Sequence, residues 1–366
     1  MIKTLTRLTA AAMAWAVLCA GCGRDTTYEK AEDTPVVLTI EGTDVHAAQL
    51  AVEMDLARME MEGEYNSLMG QLDEALSTNE SQTVSAMWRD KELRGILRQT
   101  GTQEILRDFA LEQLIEKHDL TLTQEEQDAV QIQMDYGITY FGSEEAMASA
   151  LAQAGYTLDS FRQAQENQIY QSKLQKLYYA KGGLAAPSDQ EVQESYENSY
   201  FHIRSLSIPL QDEAGNALSQ RDQQIALDQA ETFRSRLAAG EDFDTLQKEW
   251  EGRITGCTGN DRTLRSSYDL PTAYLTAAVQ LEENEISQVI QDTDACYVLQ
   301  RLPLDMDLLT RENSSQDGSD LLWNEISYAH YTMEDLLDKK AEELEVNKHM
   351  TYYLIKNTNY QKYLVG

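Results

Sequence analysis

The pattern of apolar and polar positions divides the chain into two parts of different character. Through residues 46–179, apolar residues recur in stripes that are typical of amphipathic α-helices. The stripes comprise Met54, Leu56, Met59 and Met61; Ile105, Leu106, Phe109, Leu111, Leu114 and Ile115; Val130 and Met134; and Phe161, Ile169 and Leu174. We expect these stripes to form the core of a helical part rather than a cofactor site.

Two capping boxes and one break mark helix limits. Thr123 with Glu126, and Ser188 with Glu191, have the spacing at which two residues cap each other's backbone at a helix start. Glycine and proline residues within 182–187 interrupt the helical pattern and predict a linker.

After this linker the pattern changes to strands and short helices. The predicted elements are strands at 201–208 and 296–299, a helix at 219–238 and a shorter helix with Phe243, Leu246 and Trp250. This order is typical of a small α+β domain. A strand at 35–42 precedes the helical part, and a helix at 321–344 follows the small domain. Because that last helix has no partner in the small domain, we expect it to pack on the helical part.

The first residues have the features of an export signal. Lys3 and Arg7 are followed by an uncharged apolar run, which is shorter than the roughly 20 residues that a transmembrane helix needs. The run ends in the tripeptide Ala-Gly-Cys at 20–22, which resembles a bacterial lipobox. Cys22 is therefore the predicted lipidation site. An ordinary cleaved signal and a retained anchor are the alternatives.

Composition narrows the classes of partner. The 366 residues include 62 acidic and 30 basic ones, and the net charge of −32 argues against binding nucleic acid or lying on an anionic membrane surface. Cys257 and Cys296 form no Cys-x-x-Cys motif and the five histidines are scattered, so no metal site is predicted. A disulfide between these two cysteines is left open.

Several segments resemble known domains. Residues 155–163 (Gly-Tyr-Thr-Leu-Asp-Ser-Phe-Arg-Gln) and 168–174 (Gln-Ile-Tyr-Gln-Ser-Lys-Leu), with 114–117 and 120–126 before them, are similar to the helical chaperone domain of PrsA/SurA foldases. Residues 239–243, 277–281 and 285–290, with the closing strand, are similar to a parvulin-type peptidyl-prolyl isomerase domain. These pieces occur in the family's order and span most of the chain after Cys22.

The resemblance implies an α+β protein, mainly a helical chaperone domain similar to the SurA N-terminal domain, with a small parvulin-like α+β domain. The implied limits are 1–21 for a lipoprotein signal peptide, 22–35 for a flexible tether, 36–183 with 306–366 for the helical chaperone domain, and 188–304 for the parvulin-like domain.

The parvulin resemblance also predicts where a site lies. Parvulins carry a His-Ile-Leu motif on the first strand and a second histidine on the last, and these two positions here hold Ser205 and Tyr297, the candidate catalytic residues. His202 does not replace the first histidine, because it lies three residues from Ser205 and so faces the other side of the strand. The candidate lining of a proline slot is Tyr274, Val279 and Leu281.

The expected function is that of an extracytoplasmic foldase, lipid-anchored to the cell membrane, whose partners are unfolded or partly folded exported polypeptides. No cofactor is implied, and a homodimer is left open. Prolyl isomerisation breaks no covalent bond, so a neutral Ser205–Tyr297 pair could replace the histidines. The favoured hypothesis is weak or absent isomerase activity, and an active, rebuilt cleft is the alternative. A solute-binding or structural surface lipoprotein is a further alternative.

Overall fold

The computed structural model describes residues 33–72, 91–153, 156–265, 271–309 and 322–355. In chain order the elements are β1 (Val36–Ile40), β2 (Thr43–His46), α1 (Ala47–Leu72), α2 (Lys91–Lys117), α3 (Gln124–Phe141), α4 (Glu144–Gln153), α5 (Leu158–Tyr179), α6 (Asp189–Ser199), β3 (Tyr200–Pro209), α7 (Gln220–Ala238), α8 (Phe243–Glu251), β4 (Thr258–Arg265), α9 (Thr272–Gln280), β5 (Ile290–Gln291), β6 (Ala295–Leu302), α10 (Leu322–His330), α11 (Met333–Ala341), β7 (Val346–Lys348) and α12 (Met350–Leu354). The fold class is α+β, as the sequence predicts. The chain forms two compact units, Met1–Tyr178 with Tyr331–Gly366, and Tyr179–His330.

The part of the first unit that the structure describes contains a three-stranded antiparallel sheet in the order β2-β1-β7. Leu38 on the central strand pairs with Val45 on β2 and with Lys348 on β7. Leu38 and Ile40 are fully buried. Strand β1 falls within the strand predicted at 35–42. Strand β7 was not predicted, because three residues are too few to show an alternating pattern.

Helices α1 and α11 of the first unit pack along α2. Helix α1 meets α2 at Gly101, where an added Cβ would lie only 2.9 Å from the backbone nitrogen of Met54. Helix α11 is joined to α2 by Arg107, whose guanidinium donates to both carboxylate oxygens of Asp338 at 2.6 and 2.7 Å. The buried positions of α2 include Ile105, Leu111 and Leu114 from the predicted stripe.

Helix α3 begins where the sequence predicts. The Thr123 hydroxyl accepts a hydrogen bond from the backbone N–H of Glu126 at 3.2 Å, and the Glu126 carboxylate accepts one from the backbone of Thr123 at 2.8 Å. Both halves of the capping box are therefore present. The inner face of α3 carries Met134, which packs with Met147 and Phe161 from α4 and α5.

The second unit is built on a four-stranded antiparallel sheet, within the described residues, in the order β4-β3-β6-β5. Successive side chains of a strand point to opposite faces, so the sheet has two apolar faces. One carries Leu206, Ile208, Cys296 and Val298 and packs against α7 and α8. The other carries Phe201, Ile203, Tyr297 and Leu299 and packs against α9.

The C-terminal region differs from the single helix predicted at 321–344. Within 322–344 the chain forms two helices, α10 and α11, because Thr332 caps the start of α11, where its hydroxyl accepts a hydrogen bond from the backbone of Asp335 at 3.1 Å. Helix α11 packs on α2, as expected of a C-terminal helix that returns to the helical part.

Helix α10 packs within the second unit. Trp323 and Ile326 are buried there in one cluster with Val192 and Tyr196 of α6. The sequence predicts that all of 306–366 belongs to the helical domain, because the helix predicted at 321–344 has no packing partner in the small domain. As a division into independently folding domains, the predicted limits stay a prediction.

Candidate functional site

Ser205 and Tyr297 lie on the two central strands of the second unit's sheet. Ser205 on β3 pairs with Leu299 on β6, and Tyr297 pairs with Ser207. Tyr297 lies two residues along β6 from Leu299, the partner of Ser205. Ser205 and Tyr297 are therefore diagonal neighbours on the same face of the sheet, at a Cα separation of about 7–8 Å. That face is the one that packs against α9. The structure thus brings the two candidate catalytic positions together.

Ser205 has few means of acting chemically. Its side chain is almost fully buried, and its hydroxyl makes no hydrogen bond to any residue that the structure describes. A serine acts as a nucleophile only beside a base that takes its proton, and none of the described contacts provides one. At this position the hydroxyl can contribute shape and one hydrogen bond.

Tyr297 is a neutral hydrogen-bond donor that already has partners. Its hydroxyl donates to Oδ1 of Asp294 at 3.3 Å. Its ring packs edge to face with that of Tyr274, with 5.3 Å between centroids and an interplanar angle of 89°. Burial, and then the nearby carboxylates of Asp294 and Asp292, raise the pKa of Tyr297 to about 12. The phenol therefore stays protonated at neutral pH.

The candidate slot residues separate into two groups. Tyr274 and Leu281 are buried in the same cluster as Tyr297. Val279 is half exposed, at 50%, and lies outside that cluster. The Tyr274 hydroxyl is buried without a hydrogen-bond partner among the described residues. The structure therefore places Tyr274 and Leu281, but not Val279, beside Tyr297.

His202 lies on the opposite face from Ser205, as the strand alternation predicts. Its Nε2 is 2.5 Å from Oδ1 of Asp261 on β4, and Arg204 donates to the other carboxylate oxygen at 2.6 Å. Partial burial works against ionisation of Asp261, but the bonds from His202 and Arg204 outweigh it and hold its pKa below the usual value. His202 is thus part of a surface ion-pair group and not of the Tyr297 cluster.

The two cysteines are free and buried in the cluster against α7 and α8. Burial raises the pKa of Cys257 to about 12 and that of Cys296 to about 11, so neither is a thiolate at neutral pH. Within the part of the chain that the structure describes, no three histidine, cysteine or acidic side chains are grouped as metal ligands. Cys22, the predicted lipidation site, lies outside the described residues.

A second surface was not predicted from the sequence. On α3, the large apolar side chains of Ile132, Tyr136 and Tyr140 are exposed, at 63%, 63% and 51% respectively. Their spacing of four residues places them in one row on the helix. The signal was present in the sequence, since this row occurs in addition to the inner stripe of Val130 and Met134. We call Ile132, Tyr136 and Tyr140 the outer stripe.

The chain is similar to the foldase protein PrsA of Clostridium acetobutylicum, with 24% identity over 295 residues, which is 76% of this chain and 78% of that protein. PrsA structures from Streptococcus pneumoniae and Lactococcus lactis also match. The first is 19% identical over 72% of this chain and 90% of that one, with a TM-score of 0.29. The second is 15% identical over 91% and 100%, with a TM-score of 0.34. No family model matches the chain.

Proposed function

We propose that this chain is a membrane-anchored, extracytoplasmic foldase of the PrsA/SurA type that holds unfolded exported polypeptides. The observation that carries the proposal is the similarity to a PrsA foldase over 76% of the chain. Unfolded polypeptides are the substrates that the foldase and chaperone family implies. The lipid anchor at Cys22 and the extracytoplasmic location rest on the N-terminal sequence.

We propose further that the parvulin-like unit is a weak or inactive prolyl isomerase. A prolyl isomerase must stabilise a twisted amide against a barrier of roughly 20 kcal/mol, and it does so by shape and by hydrogen bonds in a dry pocket. Two observations support weak activity. The Ser205 side chain is almost fully buried, and the Tyr297 hydroxyl is already bonded to Asp294. A substrate carbonyl therefore has little access to the first hydroxyl and must displace Asp294 to reach the second.

An active isomerase with a rebuilt cleft is the second candidate. It is favoured by the edge-to-face pair of Tyr274 and Tyr297 on the face that carries Ser205. Two phenols beside an apolar slot would supply neutral donors if Tyr297 exchanged Asp294 for a substrate. The alternative of a solute-binding or structural lipoprotein gains no support from the residues that the structure describes.

One set of measurements on the purified full-length chain tests both proposals. We expect the chain, at stoichiometric amounts, to delay the aggregation of an unfolded client. We expect the rate of X-Pro isomerisation in its presence to be only slightly above the uncatalysed rate. Uncatalysed exchange takes tens of seconds at room temperature, so weak catalysis is measurable. A rate far above background that is lost in Tyr297→Phe would establish the rebuilt cleft. Failure to delay aggregation of any client would remove the holding function.

A further inference from the structure

Helix α3 has apolar side chains on two sides. Val130, Met134 and Gly137 are buried on its inner side, and an added Cβ at Gly137 would meet Met147 of α4 at 2.8 Å. With 100° between successive residues, the outer stripe lies about 90–170° around the helix from the inner side, with Ile132 opposite to it and Tyr140 roughly at a right angle. A second apolar side on a helix that already has its core contact is not needed for folding, and large exposed apolar patches mark interaction sites.

The outer stripe has the dimensions of a short extended peptide. Its side chains are about 6 Å apart along the helix axis and span about 12 Å. Alternate residues of an extended chain are about 6.6 Å apart, so three apolar side chains at alternate positions match the three members of the stripe. Tyrosine suits such a surface, because it offers a large contact area with only two side-chain torsions to fix.

The charge beside the outer stripe is negative. Asp128 and Asp135 lie on its flank, within about 60° of Ile132 around the helix. Each accepts a hydrogen bond from a glutamine one turn earlier, Gln124 at 2.9 Å and Gln131 at 2.8 Å. Neither makes an ion pair with any residue that the structure describes. We call Asp128 and Asp135 the acidic rim.

Two basic side chains of α5 contact α3, and each already has a partner there. Lys173 of α5 pairs with Glu126, on the side of α3 away from the acidic rim. Arg162 of α5 donates to Oε1 of Gln131 at 2.9 Å, and Gln131 in turn donates to Asp135, so Arg162 meets the acidic rim only through this glutamine. Helix α3 itself contains no lysine or arginine. A bound segment that carried its own positive charges would therefore find partners beside the outer stripe, and an acidic segment would be repelled.

We propose that the outer stripe and acidic rim bind extended client segments with apolar side chains at alternate positions, flanked by lysine or arginine. This rests on the proposed holding function and adds to it a preference for one chemistry of client. Lysine and arginine also suit the surface because their aliphatic stems can lie along apolar side chains while the charge reaches a carboxylate.

The same charges disfavour other occupants. If a second copy of the chain used the outer stripe symmetrically, the acidic rims of the two copies would be brought together, which costs free energy through like-charge repulsion. An anionic membrane surface would be repelled in the same way. The segment that complements the surface in both respects is apolar and basic.

The test uses three labelled peptides with one apolar core, Leu-Ser-Phe-Ser-Leu, flanked on each side by two lysines, two serines or two glutamates. Fluorescence anisotropy with the full-length chain at low salt should show the lysine-flanked peptide binding about tenfold tighter than the glutamate-flanked one. The preference should shrink to about twofold at roughly 0.5 M salt, where the Debye length falls to a few ångströms.

Matched variants separate the rim from the general negative charge of the chain. Asp128→Asn with Asp135→Asn should abolish the preference and leave binding of the serine-flanked peptide unchanged. Glu194→Gln with Glu197→Gln on α6 is the control, because it removes the same charge from two carboxylates that likewise accept hydrogen bonds from glutamines. Ile132→Ser with Tyr136→Ser should weaken all three peptides at least tenfold, whereas Ile225→Ser, at an exposed position of α7, should weaken none.

Results that contradict the proposed client preference can be distinguished from results that contradict the proposed holding function. Equal binding of the lysine- and glutamate-flanked peptides, or a preference that only the α6 control removes, would overturn the inference while leaving the holding function intact. The inference would also fail if light scattering showed a dimer that Tyr136→Ser converts to a monomer. Loss of client protection by the unaltered chain would instead contradict the proposed function itself.

Discussion

Gly101 sets how closely α1 and α2 approach. A Cβ at this position would lie 2.9 Å from the backbone nitrogen of Met54 and 3.1 Å from the carbonyl carbon of Glu53. Both neighbours are backbone atoms of α1, so they cannot rotate away as a side chain could. The glycine is therefore retained inside a helix, where it normally costs about 1 kcal/mol relative to alanine, because it permits the contact.

We predict that Gly101→Ala destabilises the first unit by about 2 kcal/mol, because the clash outweighs the gain in helix propensity. Gly95→Ala on the same helix is the matched control, since an added Cβ there meets nothing within 4 Å. It should stabilise by up to about 1 kcal/mol. Urea unfolding followed by circular dichroism measures both. Equal effects of the two substitutions would show that the helices do not meet at Gly101.

At the N-terminus, the predicted lipidation of Cys22 can be tested by substitution. If it is lipidated, Cys22→Ser should move the protein from the membrane fraction to the soluble fraction of an expressing bacterial cell. Among the residues that the structure describes, no helix has the length and apolarity to cross a bilayer. Cys257→Ser is the control and should leave the membrane fraction unchanged. A Cys22→Ser variant that resists a high-salt wash would contradict lipidation.

At the scale of elements, Arg107 joins α2 to α11. It donates to both oxygens of Asp338 and also contacts Glu334 at 2.9 Å and Glu104 at 2.7 Å, with 15% of its side chain exposed. The bond from Arg107, opposed by partial burial, lowers the pKa of Asp338 below its ordinary 3.8. A carboxyl with a lowered folded-state pKa stabilises the fold above its unfolded-state value and loses that contribution as the pH falls.

Arg107→Gln should therefore cost about 1–2 kcal/mol at pH 7, since a two-pronged charge-assisted contact is lost. The difference from the unaltered chain should shrink toward pH 3, where Asp338 is protonated in the unfolded chain. Arg234→Gln is the control, because its pair with Glu231 lies within one helix and is more exposed, and it should cost less than about 0.5 kcal/mol. A pH-independent cost for Arg107→Gln would assign its role to packing rather than to charge.

Elements with a strong periodicity of apolar residues could be predicted from the sequence, whereas elements without one could not. The capping box at Thr123 and the burial of Phe233 and Leu237 on α7 follow directly from short-range patterns. Strand β4 was missed because its sequence, Thr-Gly-Asn-Asp-Arg-Thr-Leu-Arg, has almost no apolar alternation. It forms because β3 offers it a continuous run of backbone partners, and that is a tertiary effect.

The same contrast holds within the candidate site. That Ser205 and Tyr297 share a face, and that His202 does not, follows from the period of two along a strand. The bond from Tyr297 to Asp294 and the ring contact with Tyr274 depend on side-chain torsions and on how α9 lies on the sheet. The sequence pattern contains no information about either. Which slot residues come together could therefore be predicted only in part.

At the scale of the whole molecule, the chain leaves its first unit and returns to it. The second unit, Tyr179–His330, lies in sequence between α5 and α11, which both belong to the first unit. The returning C-terminal segment completes the sheet and the helical packing that residues before 179 begin. Strand β7 pairs with β1, and the buried side chains of Met333, Leu336 and Leu337 on α11 face the helical part. We therefore expect the first unit to need β1 together with the returning β7 and α11, and not the segment between them.

This arrangement gives the last prediction. Replacing residues 180–330 by a flexible glycine-serine linker of about 15 residues, with a mean span of roughly 20 Å, should leave a soluble protein that unfolds cooperatively and still delays client aggregation. Ending the chain after residue 330 should instead remove β7 and α11. Loss of three buried side chains at about 1.5–3 kcal/mol each would exhaust most of the stability of an ordinary domain. Calorimetry and a client aggregation assay measure the two properties on both variants. If truncation were harmless and removal of the second unit abolished protection, client holding would belong to the parvulin-like unit, and the outer stripe on α3 would not be the surface that clients use.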